Sequence, residues 1–228
     1  MKSKATVLSI VSLIAALLLT MAVTVPVRAV APIFNNQTLQ IAENSPNGTT
    51  TTPSKLTVVD PEGQPLTFDV LSGSGAAVFD VNATTGVVTV ADNLLLDYEV
   101  NQSFTMLVRA TDTEPQSDTA IVTINVIDMS DQAPVMGDQS FSVAENSPAG
   151  TTVGNLVYSD GDTNDSHVFQ ITGGSGLGVF NIDSVGKVTV ANGAQLNFEN
   201  NSSYNMTVAI EDEGGLTDTA LITADGTN

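Results

Sequence analysis

The chain of 228 residues carries 25 Asp and Glu against 6 Lys and Arg, a formal charge of −19 at pH 7. That balance argues against nucleic acid and anionic lipid surfaces as partners, since both would repel it. Cysteine and tryptophan are absent and aromatics make up 5%, which excludes a disulfide framework and weighs against an aromatic carbohydrate-binding platform.

Lys2 and Lys4 precede an apolar run from Ala5 to about Val25, and Ala29-Val30-Ala31 has the small residues of a cleavage site. Residues 1–31 therefore read as a signal peptide or an N-terminal anchor. On either reading the rest is exported, secreted or at the cell surface. Membrane contact is expected only through that segment or a C-terminal region lying after this sequence. Every acid lies beyond Ala31, where Lys55, Arg109 and Lys187 are the only strong bases.

The remainder says the same thing twice. IAENSPNGTT returns as VAENSPAGTT, and Glu43, Asp60, Glu99 and Asp112 return as Glu145, Asp160, Glu199 and Asp212. A period of about a hundred residues is too long for a solenoid unit and suits one β-sandwich per repeat. The domains expected are 32–133 and 134–228. Within them Phe104, Met106, Val108 and Ala110 alternate with polar residues, and so do Ala120, Val122, Ile124 and Val126 and, in the second copy, Tyr204, Met206, Val208 and Ile210; this is strand periodicity. Val87–Val90 and Lys187–Val190 each follow a glycine and read as strands entered from a turn. Gly73-Ser74-Gly75 and Gly173–Gly176 read as flexible loops before the strands carrying Phe79 and Phe180. No helical period is sustained. The fold class predicted is all-β, two tandem seven-stranded Greek-key sandwiches. The second is expected to lack part of its last strand, because TINVIDMSDQAP of the first copy is met only by TADGTN.

The acidic words point to a hard cation. Calcium takes about six to eight oxygens from carboxylates, carbonyls and water, more than one loop of a sandwich supplies, but two domains meeting end to end can supply them. Glu43, read as opening the first strand, with Asp97 and Glu99 in a later loop, falls at the lower pole of repeat 1. Asp131 lies in the link, and Asp160, Asp162 and Asp212 fall at the upper pole of repeat 2. These carboxylates would repel one another without cations and be nearly balanced by about three divalent ions, stiffening a loose hinge.

In that order the words resemble the extracellular cadherin repeat. A-E-N carries Glu43, L-D-Y-E carries Asp97 and Glu99, and D-M-S-D-Q-A-P carries Asp131. D-G-D carries Asp160 and Asp162, and A-I-E-D carries Asp212 one residue late. The resemblance implies Ca2+ as the ligand, with Met129 and Gln132 as carbonyl donors and Ser130 where the family has Asn, a shorter reach that weakens one site. The loop after Asp162 lacks the family's glycine–asparagine segment, leaving its carbonyl donor open, with Asn164 the candidate. Incomplete half-sites are expected at both free ends, around Asp60-Pro61-Glu62 and around Asn197.

Other chemistry fits poorly. Asp160–Asn164 opens like an EF-hand loop, but Asp165 stands at the glycine position and Ile171 at the final Glu position. His167 is the only histidine and reads as a strand-end cap rather than a catalytic or zinc group. No enzyme activity is expected. The function implied by resemblance is calcium-dependent adhesion or recognition, with another adhesin copy or a cell-surface or matrix ligand as partner. A calcium-dependent polysaccharide- or matrix-binding module and a passive stalk within a larger adhesin stand as alternatives. Exchange of an N-terminal strand anchored by tryptophan is disfavoured, since there is no tryptophan.

Overall fold

The computed structural model describes residues 29–193 and 196–227. Nearly all of the leader expected at residues 1–31 lies outside them. Among the described residues no helix is long and apolar enough to cross a membrane.

Each repeat contributes seven strands. The first has β1 (Gln37–Ala42), β2 (Thr50–Lys55), β3 (Thr67–Ser72), β4 (Phe79–Val81), β5 (Val87–Val90), β6 (Ser103–Thr111) and β7 (Ser117–Ile127). The second has β8 (Gln139–Ala144), β9 (Thr152–Asn155), β10 (Val168–Gly173), β11 (Phe180–Ile182), β12 (Lys187–Val190), β13 (Ser203–Glu211) and β14 (Thr217–Thr227). The period-two pattern does what it predicts. Phe104, Met106, Val108 and Ala110 of β6 and Ala120, Val122, Ile124 and Val126 of β7 all turn inward, and each repeat has its own closed apolar core. Layers packed through alternating inward residues make a sandwich.

Strand order explains where the poles fall. β6 and β7 form a long antiparallel pair, and β1 runs parallel to β7 from Gln37↔Val122 to Ala42↔Ile127. In the first repeat β1 also touches β2 at Gln40↔Thr52, linking the two layers through one strand, in the order β3-β6-β7-β1-β2-β5-β4. The second repeat keeps them apart as β10-β13-β14-β8 and β11-β12-β9. Because β1 and β7 are parallel, they end side by side at the lower pole, where the link begins.

Three expectations change. The last strand of repeat 2 is not cut short: β14 has the same 11 residues as β7 and stays paired with β8 as far as Thr227↔Ala144. Its pattern misleads because the apolar group comes from elsewhere. Where repeat 1 buries Val126, repeat 2 has Gly226, and a Cβ there would lie 1.8 Å from Phe198 Cδ1. The Phe198 ring covers the strand that lacks a side chain. Glu43, expected to open the first strand, stands just after its end, since the alternation of Thr38–Ile41 belongs to the strand and Glu43 to the turn beyond. The glycine–serine loops are not slack. Gly73, at φ 123°, lies where a Cβ would come within 2.1 Å of the Thr105 carbonyl, and Gly174, at φ 96°, is equally close to Asn205 O. Both pack backbone to backbone against the long hairpin. Gly73→Ala should therefore destabilise repeat 1 by about 2 kcal/mol or more, measured by denaturant melts; an unchanged midpoint would contradict this packing.

Candidate metal centre

The pole is assembled by backbone bonds before any ion is considered. The Glu43 amide donates to Ile127 O at 3.1 Å, which fixes the residue after β1 beside Asp128, the residue after β7. Asn44 then turns the chain aside at φ 54°, a left-handed conformation that Asn tolerates better than most residues. Its amide donates to Leu96 O at 3.1 Å, drawing in the Asp97–Glu99 loop. Glu43 is 3% exposed, and its two oxygens accept the amides of Tyr98 and Met129, both at 2.7 Å. Glu43 thus ties the loop and the link to the end of β1.

Repeat 2 meets this pole through its own turn. Asp162 is buried, and one oxygen accepts the amides of both Asp131 and Gln132, at 2.9 and 2.8 Å. Asp128 Oδ2 accepts the Thr163 amide at 2.9 Å as well as its hydroxyl. The Ser130 hydroxyl donates to Asp165 Oδ2 at 2.6 Å and accepts the Gly214 amide at 2.7 Å. Gly214 has to be glycine there, because a Cβ would lie 2.5 Å from the Ser130 carbonyl.

Three carboxylate groups result, each with its oxygens within 4.8 Å of one another: Glu43, Glu99 and Asp128; Glu99, Asp131 and Asp162; and Asp160, Asp165 and Asp212. Of the predicted carboxylates, Glu43, Glu99, Asp131, Asp160, Asp162 and Asp212 are brought together. Asp97 is not in these groups; its side chain takes the Val100 amide at 3.0 Å and its carbonyl takes Asn101. Met129 is half exposed in the link, and Ser130 and Gln132 are held by the bonds just given. Asn164 turns the chain at φ 68°. Asp128 and Asp165 were missed. Asp128 is readable in principle, as the residue that must stand opposite Glu43 once β1 and β7 are paired in parallel. Asp165 becomes visible only when the short loop is folded. His167 stands directly before β10, and its Nε2 meets Asp160 Oδ2 at 2.7 Å with both side chains buried, beside the ring of Tyr158.

The donor set can be tested against a cation. Asp128 Oδ1, Asp162 Oδ1 and Asp212 Oδ2 are buried and accept no hydrogen bond from the described residues. A buried carboxylate oxygen without a donor is costly, on the order of 1–3 kcal/mol or more. All ligands within reach are hard oxygens except the His167 ring, already engaged by Asp160. Oxygen-only sites of irregular geometry suit calcium better than zinc or octahedral magnesium. The residues present fit Ca2+.

Crowding shows in protonation. Loss of water around the carboxyl first, then the charges of Glu43, Asp131 and Asp162, push the exposed Glu99 up to about 7. Asp162 is also pushed up, by burial and then by Asp160 and Asp131, with the Gln132 and Asp131 amides opposing.

The architecture defines a class: tandem β-sandwich repeats joined end to end through a carboxylate-rich link. The cadherin domain family model matches residues 37–127 and 139–225. The chain belongs to the cadherin family, whose domain it carries twice. It is 36% identical over 149 residues to mouse protocadherin Fat 4, covering 63% of this chain and 3% of that protein. To the Drosophila melanogaster protocadherin-like wing polarity protein stan it is 33% identical over 198 residues, covering 80% and 5%. It spans only a few per cent of the length of such relatives. In fold it resembles the human desmocollin-1 ectodomain, with TM-score 0.73 and 20% identity over 87% of this chain and 42% of that one. Chicken VE-cadherin EC1-2 is similar too, with TM-score 0.69 and 24% identity over 84% and 98%.

The raised Glu99 pKa sets a pH dependence for the metal-free protein. A carboxyl that titrates at about 4.5 unfolded and about 7 folded holds its proton more tightly in the folded state. Its contribution is favourable below the unfolded value and is lost as pH rises from about 4.5 to about 7. In EGTA the chain should melt at a higher temperature at pH 5 than at pH 8, and Glu99→Gln should flatten that difference. An equally steep profile in the variant would assign the dependence to other groups.

Proposed function

We propose that this chain is a calcium-stiffened adhesion or recognition module. The observation that carries the reading is the set of buried, donorless carboxylate oxygens on Asp128, Asp162 and Asp212, all at the junction of the repeats. Glu43, Glu99, Asp128, Asp131, Asp160, Asp162 and Asp212 supply the carboxylates, and Met129 and Gln132 supply carbonyls. Without cations these charges repel, and the hinge between repeats is loose. Divalent ions remove the repulsion and fix the angle at which each repeat presents its surface. The leader exports the chain, and the partner is another copy or a cell-surface or matrix ligand. The printed names of the relatives, protocadherins and cadherins, support the adhesive half of this reading. The glycan-binding alternative finds no support on the surface: among the described residues the exposed large hydrophobics are aliphatic or Met129, with no aromatic among them.

Thermal melts test the calcium half. Calcium at about a hundred times its Kd should raise the melting temperature by roughly 10 °C over EGTA. Asp131→Ala should lose most of that rise. A parent chain whose melt is the same in both buffers would remove the physical basis of the reading.

A further inference from the structure

The three carboxylate groups differ in which repeat they belong to. Glu43, Glu99 and Asp128 come from repeat 1 and the start of the link; Glu99, Asp131 and Asp162 join repeat 1, the link and repeat 2; Asp160, Asp165 and Asp212 come from repeat 2 alone. Building on the calcium reading above, we infer that Asp165 is a direct calcium ligand, positioned by the Ser130 hydroxyl of the link, and that every carboxylate on its ion comes from repeat 2.

Ser130 is poorly placed to be a ligand itself. Its one hydroxyl proton is donated to Asp165 Oδ2 at 2.6 Å, and a lone pair is occupied by the Gly214 amide at 2.7 Å. Both bonds aim the hydroxyl at the protein. Asp165 Oδ2 is fixed by this contact, and a carboxylate oxygen of Asp165 lies within 4.8 Å of ligand oxygens of Asp160 and Asp212. Those neighbours are anchored in turn. Asp160 Oδ1 accepts the Asp162 amide at 3.2 Å and its Oδ2 meets His167, while Asp212 Oδ1 accepts the Leu216 amide at 2.7 Å. Asp212 is 6% exposed, and its second oxygen has no hydrogen-bond donor among the described residues. That buried oxygen is an observation independent of the clustering, and it asks for a positive ligand.

The short turn supplies Asp165. Asn164 adopts φ 68°, and the next residue brings a carboxylate oxygen within 4.8 Å of those of Asp160 and Asp212. Asp165 thereby makes good the reach that Ser130 lacks, and it places that coordinating oxygen in repeat 2 rather than in the link. Of the three groups, only Glu99–Asp131–Asp162 then ties the repeats together. The carboxylates on the upper ion all belong to repeat 2, with Ser130 of the link aiming one of them, and the bridging ion locks the angle.

Calorimetric titration of the full chain with calcium tests this, comparing the parent with Asp165→Asn, Ser130→Ala and Ser130→Thr, each checked for an unchanged circular dichroism spectrum in EGTA. Asp165→Asn should take up one ion fewer, or bind one ion at least about tenfold more weakly, while calcium still orders the hinge as judged by X-ray scattering. Ser130→Ala should weaken one ion about tenfold, as loss of a positioning partner does, and Ser130→Thr should restore it. If Asp165→Asn binds as many ions as the parent at unchanged affinity, the assignment is wrong although the calcium reading stands. If Asp165→Asn also leaves the hinge loose in calcium, the separation of the upper ion from the bridging one is wrong. A parent that takes up no calcium overturns the calcium reading itself. Should Asp165→Asn fail to fold, Asp165→Ser replaces it with the same expectations.

Discussion

Carboxylates that share a small volume must each meet a donor or a cation, and the whole junction is organised around that requirement. Glu43 meets it with two backbone amides, and Asp162 meets half of it with the amides of Asp131 and Gln132. What backbone donors do not cover is left as buried bare oxygen on Asp128, Asp162 and Asp212. The same economy appears at the far pole of repeat 1, where Asp60 Oδ2 and Asp112 Oδ2 are bare. There Gln64, which accepts from the Thr113 amide at 3.2 Å, follows Asp60 by four residues where Asp165 follows Asp160 by five.

The sandwich makes this possible by bringing distant sequence to one place without strain. Parallel pairing of the first and last strands sets Glu43 beside Asp128, some 85 residues apart in the chain. A short link with Asp128, Ser130 and Asp131 then reaches into the turns of the next repeat. Because Asp162 grips two link amides, the two sandwiches are coupled by backbone as well as by charge. Stiffening therefore needs only a small change in free energy: removing the repulsion lets contacts already in place persist.

Much of the fold was legible because strand alternation is a local property. Phe104 to Ala110 and Ala120 to Val126 bury as the period says, and the recurring acidic words mark the poles. The sequence misled where one element borrowed from another. Gly226 looks like the end of a strand until Phe198 is seen lying over it. Asp128 looks like linker until β1 and β7 are paired. His167, unremarkable alone, is buried against Asp160 because the short loop of repeat 2 folds it back. Phe198 against Gly226 and Asp128 beside Glu43 are contacts between residues far apart in sequence, which no window of neighbours contains.

The central claim is that cations convert a loose junction into a fixed one, and the distance between the repeats reports this most directly. Spin labels on exposed strand positions, one in each repeat, would give the distribution by pulsed electron resonance. A broad distribution in EGTA that narrows to a single sharp peak in calcium is the outcome the account predicts. Equal widths in both conditions would contradict it, whether the repeats prove rigid without ions or mobile with them.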